Sequence, residues 1–136
     1  MITSPQSATR DSTGSDTDSL AALCKAAGDP LRVDILRVLR HNAYGVLELS
    51  EILDIGQSGM SHHLKILTKA GLTATRREGN SIFYRRSPIP EEPRLQSLHR
   101  ALFAAIDQTE PSLKLQRRIQ HINDERTRAS TVFFEQ

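Results

Sequence analysis

The sequence predicts a mainly helical domain of the α+β class, in which amphipathic helices lead into one β-hairpin. The first observation is a recurring helical spacing of apolar residues, in segments that begin or end at Asp, Gly or Pro. The second is a stretch from Leu72 to Arg86 that favours strand and is interrupted only by Glu78-Gly79-Asn80, which suits a tight turn. With 136 residues, the chain fits one domain with extensions.

The composition is that of a globular protein, with 38% hydrophobic and 25% charged residues. No apolar run approaches the roughly 20 residues that a membrane helix needs, and no apolar segment of signal-peptide length follows Met1. The single cysteine, Cys24, excludes an internal disulfide and suits a reducing compartment. We therefore expect a cytoplasmic protein with no membrane partner, in which Cys24 is a small buried residue.

The predicted organisation has three parts. Residues 1–19 are rich in Ser and Thr and nearly lack apolar side chains, which predicts a disordered N-terminal arm. Residues 20–108 hold the main helices and the hairpin, and they form the predicted folded domain. Residues 109–136 have apolar positions that alternate by four and three, which predicts a further amphipathic helix, interrupted at Arg126.

The central part is predicted to contain a helix-turn-helix followed by a wing. Asp29 should cap the second helix, with Pro30 at its first position. The third and fourth helices are separated only by Asp54-Ile55-Gly56, a short turn typical of a helix-turn-helix. The expected helices are Leu20 to Ala27, Pro30 to about Arg40, Val46 to Leu53, Gln57 to Ala70 and Arg94 to Asp107, and the wing is Thr73 to Arg86.

An adjacent pair of histidines, His62 and His63, raises the question of a metal site on the fourth helix. Neighbours on a helix point about 100° apart, so they cannot share one ion as an i,i+4 pair could. His62 falls on a polar face, whereas His63 falls at the edge of the apolar face. The spacing therefore does not predict a shared metal site.

The polar face of the fourth helix has side chains that suit DNA. Hydrogen-bonding groups of moderate reach match base edges in a major groove, and the free N–H groups at a helix start suit a phosphate. An ordinary solvated helix surface explains the same residues equally well. The residues of this face are Gln57, Ser58, Ser61, His62, Lys65 and Lys69.

Basic charge is concentrated beside this face. The whole chain has a net charge of +2, whereas residues 20–90 contain ten Lys and Arg against six Asp and Glu. Lys69 and the four wing arginines, opposed by Glu78, place a net +4 within eighteen residues. A basic hairpin beside a polar helix predicts that both the fourth helix and the wing contact double-stranded DNA. The wing residues expected at DNA are Arg76, Arg77, Asn80 and Arg85, with Arg86 adding charge.

These segments resemble the ArsR/SmtB family of bacterial winged helix-turn-helix repressors. The resemblance lies in "LCKAAGDPLRVDILRVL", "LELSEIL", "GQSGMSHHLKILTKAGL" and "TRREGNSIFYRR", and it covers about Leu20 to Ala105. It implies a homodimer that binds an inverted-repeat operator, with the helix Gln57 to Ala70 in the major groove. It also implies that the first and fifth helices pair across the dimer, through Leu20, Leu23, Leu95, Leu98, Ala101, Leu102 and Ala105.

The sequence departs from the family at the positions that bind metals. The third-helix segment "VLELSEIL" lacks the cysteine pair of members that sense arsenic, cadmium or lead. In the fifth helix, only His99 and Asp107 are of the types that zinc and nickel sensors use, and they do not match in spacing. Neither site is carried over, so we predict no metal ligand, no cofactor and no catalytic residue.

The last segment, "RRIQHINDERTRASTVFFEQ", resembles the connecting helix of members that continue into a methyltransferase-like domain. Such domains bind S-adenosylmethionine or S-adenosylhomocysteine, and these 136 residues do not include one. Three interpretations stay open: a fragment of a larger regulator, a regulator with another effector, or a tail that only extends the dimer interface. We predict a repressor relieved by a small molecule, not an enzyme. Two alternatives stay open: a metal- or redox-responsive regulator using Cys24 and histidines, and a winged-helix module that binds protein.

Overall fold

The computed structural model describes the backbone of residues 16–135 and the side chains of residues 16–131. Its helices are α1 (residues 16–27), α2 (Pro30–Val38), α3 (Val46–Leu53), α4 (Gln57–Lys69), α5 (Pro93–Asp107) and α6 (Leu113–Glu135). The strands β1 (Thr73–Glu78) and β2 (Ser81–Arg86) lie between α4 and α5 and pair antiparallel. This arrangement confirms the predicted class: mainly helical, with one β-hairpin.

Two predicted boundaries were wrong. Residues 16–19 were assigned to the disordered arm but are helical, while the rest of that arm lies outside the described residues. Their side chains are exposed, so polar residues there do not conflict with a helix that buries Leu23 and Ala26. The second helix ends at Val38, because the N–H of Arg40 bonds back only three residues, to Arg37, and tightens the last turn.

The start of α2 and the end of α4 are capped as predicted. Asp29 accepts hydrogen bonds from two backbone N–H groups in the first turn of α2, at 2.9 and 3.1 Å, and Pro30 occupies the first position. After α4, Gly71 has a φ of +82°, and the N–H of Leu72 reaches back to the carbonyl of Leu67 at 2.9 Å. This Schellman closure sends the chain from α4 directly into β1.

The turn between α3 and α4 depends on a left-handed residue. Asp54 has φ 56° and ψ 50°, a conformation that aspartate tolerates better than most side chains. The N–H of Ile55 donates to the carbonyl of Ser50 at 3.1 Å, and Gly56 then caps α4. The predicted three-residue turn is therefore present and fixes the angle between the two helices.

The wing is anchored to the helices at its base. Its tip is the two-residue turn Gly79-Asn80, in which Gly79 has a φ of +62°, as hairpin turns with glycine first require. At the other end, Tyr44 and Tyr84 exchange two backbone hydrogen bonds of 3.0 and 2.8 Å. Because the Tyr44 side chain is buried in the core, the loop before α3 holds the second strand in place.

One hydrophobic core joins the helices. It includes Leu115 and Ile122 of α6, so the segment predicted as a C-terminal extension shares the core of the central part. None of the described helices is long and apolar enough to cross a membrane. The buried apolar residues are Leu23, Ala26, Ile35, Leu36, Val38, Leu39, Tyr44, Leu49, Ile52, Met60, Leu64, Leu67, Leu72, Phe103, Ile106, Leu115 and Ile122.

Arg126 interrupts the apolar seam of α6 because it makes an ionic contact there. Its guanidinium donates two hydrogen bonds to the carboxylate of Glu48, one of them at 2.7 Å. The same group lies 4.7 Å from the ring centre of Tyr44 and 5.7 Å from that of Phe83. Burial alone would raise the pKa of Glu48, but the hydrogen bonds from Arg126 and from the Gly45 N–H outweigh it and lower the pKa.

His99 is a buried polar side chain in α5. His99 is 1% exposed to solvent, and neither nitrogen of its ring has a hydrogen-bond partner. The ring packs against Phe103 with 4.6 Å between ring centres. Burial lowers the pKa of His99 below its ordinary value of 6.5, because a protonated ring would carry an unpaired charge in the core.

This environment predicts a loss of stability in mild acid. Between pH 7.5 and 5.5, His99 becomes protonated in the unfolded chain but stays neutral in the folded chain. The free energy of unfolding should therefore fall as pH falls. The slope from this residue should reach at most about 1.4 kcal/mol per pH unit. Urea unfolding at a series of pH values measures it. The His99→Leu variant should show a shallower slope, and equal slopes for variant and parent would contradict the assignment.

Candidate nucleic-acid interface

The two faces of α4 are separated as the sequence predicted. Met60, Leu64 and Leu67 are 0% exposed and pack in the core. The opposite face is open to solvent and presents hydroxyl, amide, imidazole and ammonium groups. Its exposed residues are Gln57, Ser58, Ser61, His62, Lys65 and Lys69, all of which were predicted at DNA.

The two histidines have different roles. His62 is exposed, whereas His63 is half-buried and its Nδ1 lies 3.1 Å from an amino group of Arg32. Because a guanidinium only donates, Nδ1 accepts this hydrogen bond and the ring proton is on Nε2. Among residues 16–131, no cluster of three or more metal-ligating side chains includes either histidine.

Arg32 is a residue that the sequence analysis missed. Its guanidinium donates to the carbonyl of Ala26 at 2.7 Å and to that of Lys25 at 3.2 Å, at the end of α1. The same group holds His63 of α4, so one side chain joins α1, α2 and α4. Nothing in the local pattern distinguishes Arg32 from a solvated arginine, since its partners lie in other helices.

The first turn of α4 has N–H groups that no side chain caps. Gly56 precedes the helix, and no side-chain oxygen accepts from the first turn. Gln57 and Ser58 are exposed there. Uncapped N–H groups and the positive end of the helix dipole are the features that bind a phosphate oxygen.

The wing presents its arginines on two faces. Arg76 is paired across the hairpin with Phe83 and Arg77 with Ile82, and adjacent residues of a strand point to opposite sides. Arg76 forms a 2.7 Å ion pair with Glu78, and both are exposed. The remaining predicted contacts, Arg77, Arg85 and Asn80, are also exposed.

Arg86 does not add charge to the wing surface, which corrects the charge count made from the sequence. Its guanidinium forms a bidentate pair with Asp107 of α5, at 2.8 and 2.7 Å, and its Nε donates to the carbonyl of Leu36. It also lies 4.5 Å above the ring of Phe103. The Arg86 hydrogen bonds are the main reason that the pKa of Asp107 is below its ordinary value.

Three of the seven residues predicted at a dimer interface, Leu20, Ala101 and Ala105, are exposed within the chain. Leu20 is 37% exposed, and the α5 residues of this set are exposed or half-exposed. Leu23 is different, since it is 3% exposed in the core of its own chain. The α5 stripe that faces this core is His99, Phe103 and Ile106, spaced four and three apart, and the α5 residues predicted at the dimer interface lie beside it. Of the α5 residues in this set, Ala101 and Ala105 are exposed, whereas Leu95, Leu98 and Leu102 are half-buried and pack against the core.

Cys24 was expected to be buried, and this expectation was wrong. Its thiol is free and exposed on α1. The buried stripe of α1 is formed by Leu23 and Ala26, and Cys24 lies beside it.

The comparison with known proteins decides the family. A model described as "Bacterial regulatory protein, arsR family" matches residues 29–74, the segment from the start of α2 to the start of the wing. The transcriptional activator HlyU of Vibrio cholerae is 38% identical over 78 residues, which span 57% of this chain and 72% of that protein. The chain belongs to the ArsR family. A biofilm growth-associated repressor of Agrobacterium fabrum is 35% identical over 86 residues, covering 63% of this chain and 73% of that protein.

Solved structures support the same assignment for the fold of this ArsR-family chain. Reduced HlyU of Vibrio cholerae superposes with a TM-score of 0.53 at 30% identity, covering 69% of this chain and 95% of that one. A homodimeric winged helix-turn-helix DNA-binding domain from Mycobacterium bovis has a TM-score of 0.58 at 23% identity, covering 70% and 84%. The ArsR-family chain is therefore a winged helix-turn-helix protein of the DNA-binding, transcription-regulating class.

Separate replacement of the two histidines tests whether the contact between His63 and Arg32 holds α4 in place. His63→Ala should lower the free energy of unfolding by about 1–2 kcal/mol, because it leaves a donor of Arg32 without its acceptor. His62→Ala should change it by less than about 0.5 kcal/mol, as is usual at an exposed position. Chemical denaturation of both variants measures the difference. Equal losses in the two variants would show that His63 does not hold α4 in place.

Proposed function

We propose that this ArsR-family chain is a homodimeric transcriptional repressor that reads an inverted-repeat operator in double-stranded DNA. The observation that carries the proposal is the division of α4: its apolar stripe is fully buried, so its polar face must point outward. Exposed hydroxyl and imidazole groups along such a helix suit the donors and acceptors of a major groove. The proposed base-reading residues are Gln57, Ser58, Ser61 and His62.

The uncovered apolar residues of α1 and α5 support a dimer. Leu20, Ala101 and Ala105 are exposed, although their side chains gain from burial against another surface. An open groove of about 710 Å³ lies between α1, α4 and the start of α5, and its walls include Ala22, Ile66, Ala70 and Leu95. A second copy of the chain, related by a twofold axis, would cover the same residues on both copies.

A twofold dimer gives the proposed reading geometry. An inverted repeat presents two equal half-sites, and two α4 helices must lie about 34 Å apart to enter successive major grooves. The uncapped first turn of α4 would fix its register on a phosphate, together with Lys65 and Lys69. Arg77, Arg85 and Asn80 would bring the wing to the backbone beside it.

We also propose that a small molecule relieves repression by favouring a spacing of the two α4 helices that does not fit the operator. S-adenosylmethionine and S-adenosylhomocysteine are the first compounds to test, because the α6 segment resembles a connecting helix to domains that bind them. Arg126 of α6 is bonded to Glu48 of α3, so a ligand that shifted α6 would act on the helix-turn-helix directly.

Replacement of the base-reading residues should remove specificity. In the Ser61→Ala/His62→Ala double variant, the ratio of operator affinity to random-DNA affinity should fall by at least about tenfold, since a good base contact contributes about 1–3 kcal/mol. Fluorescence anisotropy with the chain's own upstream DNA and a scrambled duplex measures this ratio.

The matched control is His41→Ala/Ser130→Ala, which removes an exposed histidine and an exposed serine outside α4 and the wing. It should bind as the parent does. A double variant of α4 that kept full discrimination would show that another surface reads the operator. If the parent bound no DNA even at low salt, a winged-helix module that binds protein would be the correct interpretation.

Removal of a wing charge should act on all sequences alike. Arg77→Ala should weaken binding to operator and random DNA by the same factor, because a phosphate contact carries no sequence information. The slope of log affinity against log salt should become shallower by about 1, the contribution of one phosphate contact. Arg117→Ala, an exposed arginine of α6, is the control and should leave the slope unchanged. An unchanged slope for Arg77→Ala would remove the wing from the interface.

A further inference from the structure

The contact between α3 and α6 has a regular charge pattern. The two helices run antiparallel, because Glu48 at the start of α3 meets Arg126, while Asp54 after its end meets Arg118. Arg118 also donates to the carbonyl of Ile52. At both ends of the contact, therefore, an arginine of α6 neutralises an acidic residue of α3.

The middle of the contact lacks such an arginine. Here Glu51 of α3 faces His121 and Glu125 of α6, and all three are exposed. The Nε2 of His121 lies 3.1 Å from a carboxylate oxygen of Glu125, one helical turn further along. Ligand atoms from all three side chains lie within 4.8 Å of one another. Two carboxylates and an imidazole thus converge where the neighbouring positions have an arginine.

This grouping favours a cation. Two carboxylates held close together repel each other, and a positive charge between them removes that repulsion. The geometry suits a tetrahedral zinc ion: at metal–ligand lengths of about 2.0–2.2 Å, two ligand atoms are about 3.3–3.6 Å apart. The ligand atoms of His121 and Glu125 are already near that separation, and the exposed Glu51, with a ligand atom within 4.8 Å of theirs, would have to move closer to join them.

We infer that Glu51, His121 and Glu125 form a binding site for a divalent transition-metal ion, with zinc as the reference ion. One imidazole nitrogen and two carboxylate oxygens are ligands that zinc accepts, and water completes the coordination. The ion would bridge α3 and α6 and fasten the C-terminal helix to the helix-turn-helix. The site is distinct from the positions weighed in the sequence analysis, and the inference does not depend on DNA binding.

The bridge is tested by zinc titration of tag-free, chelator-stripped protein. Isothermal titration calorimetry should show one equivalent of Zn²⁺ with a dissociation constant below about 100 μM. The unfolding temperature should rise by about 5 °C or more at a zinc concentration roughly 100 times the dissociation constant. His121→Ala and Glu51→Gln should each weaken binding by at least about tenfold and abolish most of the thermal shift.

The control is His41→Ala, which removes an exposed histidine elsewhere and should leave zinc binding unchanged. Circular dichroism of each variant without metal checks that the exposed substitutions do not alter the fold. If Glu51→Gln bound zinc as tightly as the parent, the ion would not bridge the two helices and the inference would be overturned. Binding weaker than about 100 μM in the parent would overturn it as well.

Discussion

The burial of one stripe of α4 determines the rest of this structure. Met60, Leu64 and Leu67 lie at helical spacing and have no exposed surface, so the helix cannot rotate about its axis without leaving them in water. Loss of a buried leucine or methionine side chain costs about 2–5 kcal/mol, which is a large part of the stability of a small domain. The outward orientation of the polar face follows from this constraint and needs no contact of its own.

The sequence was sufficient where structure is set by neighbours along the chain. The helix-turn-helix could be predicted because Asp29-Pro30, Asp54-Ile55-Gly56 and Gly71 act locally, through caps and left-handed turns. The faces of α4 could be predicted because the 3.6-residue period is itself local. The core position of His99 in α5 could not be predicted in this way, since a histidine looks polar until its surroundings are known.

Long-range contacts of three arginines could not be predicted from the sequence. Arg32, Arg86 and Arg126 each make hydrogen bonds to two or more elements, over separations of up to 83 residues along the chain. From the sequence alone, each of these arginines would be interpreted as a cation that faces either solvent or DNA. Such half-buried guanidinium groups hold helices to loops and strands because their five N–H donors can satisfy several carbonyls and carboxylates at once. The basic surface of the protein is smaller than its arginine content implies.

The bidentate pair of Arg86 and Asp107 has a mechanical consequence. It connects the last residue of β2 to the last residue of α5, while the Nε of Arg86 also bonds to the carbonyl of Leu36 in α2. If α5 moved along the domain while the hairpin stayed in place, the partly buried pair of Arg86 and Asp107 would have to separate. Separating such a pair costs free energy. Because the same guanidinium is bonded to α2, the end of α5, the base of the hairpin and α2 are tied together and would have to move as one unit.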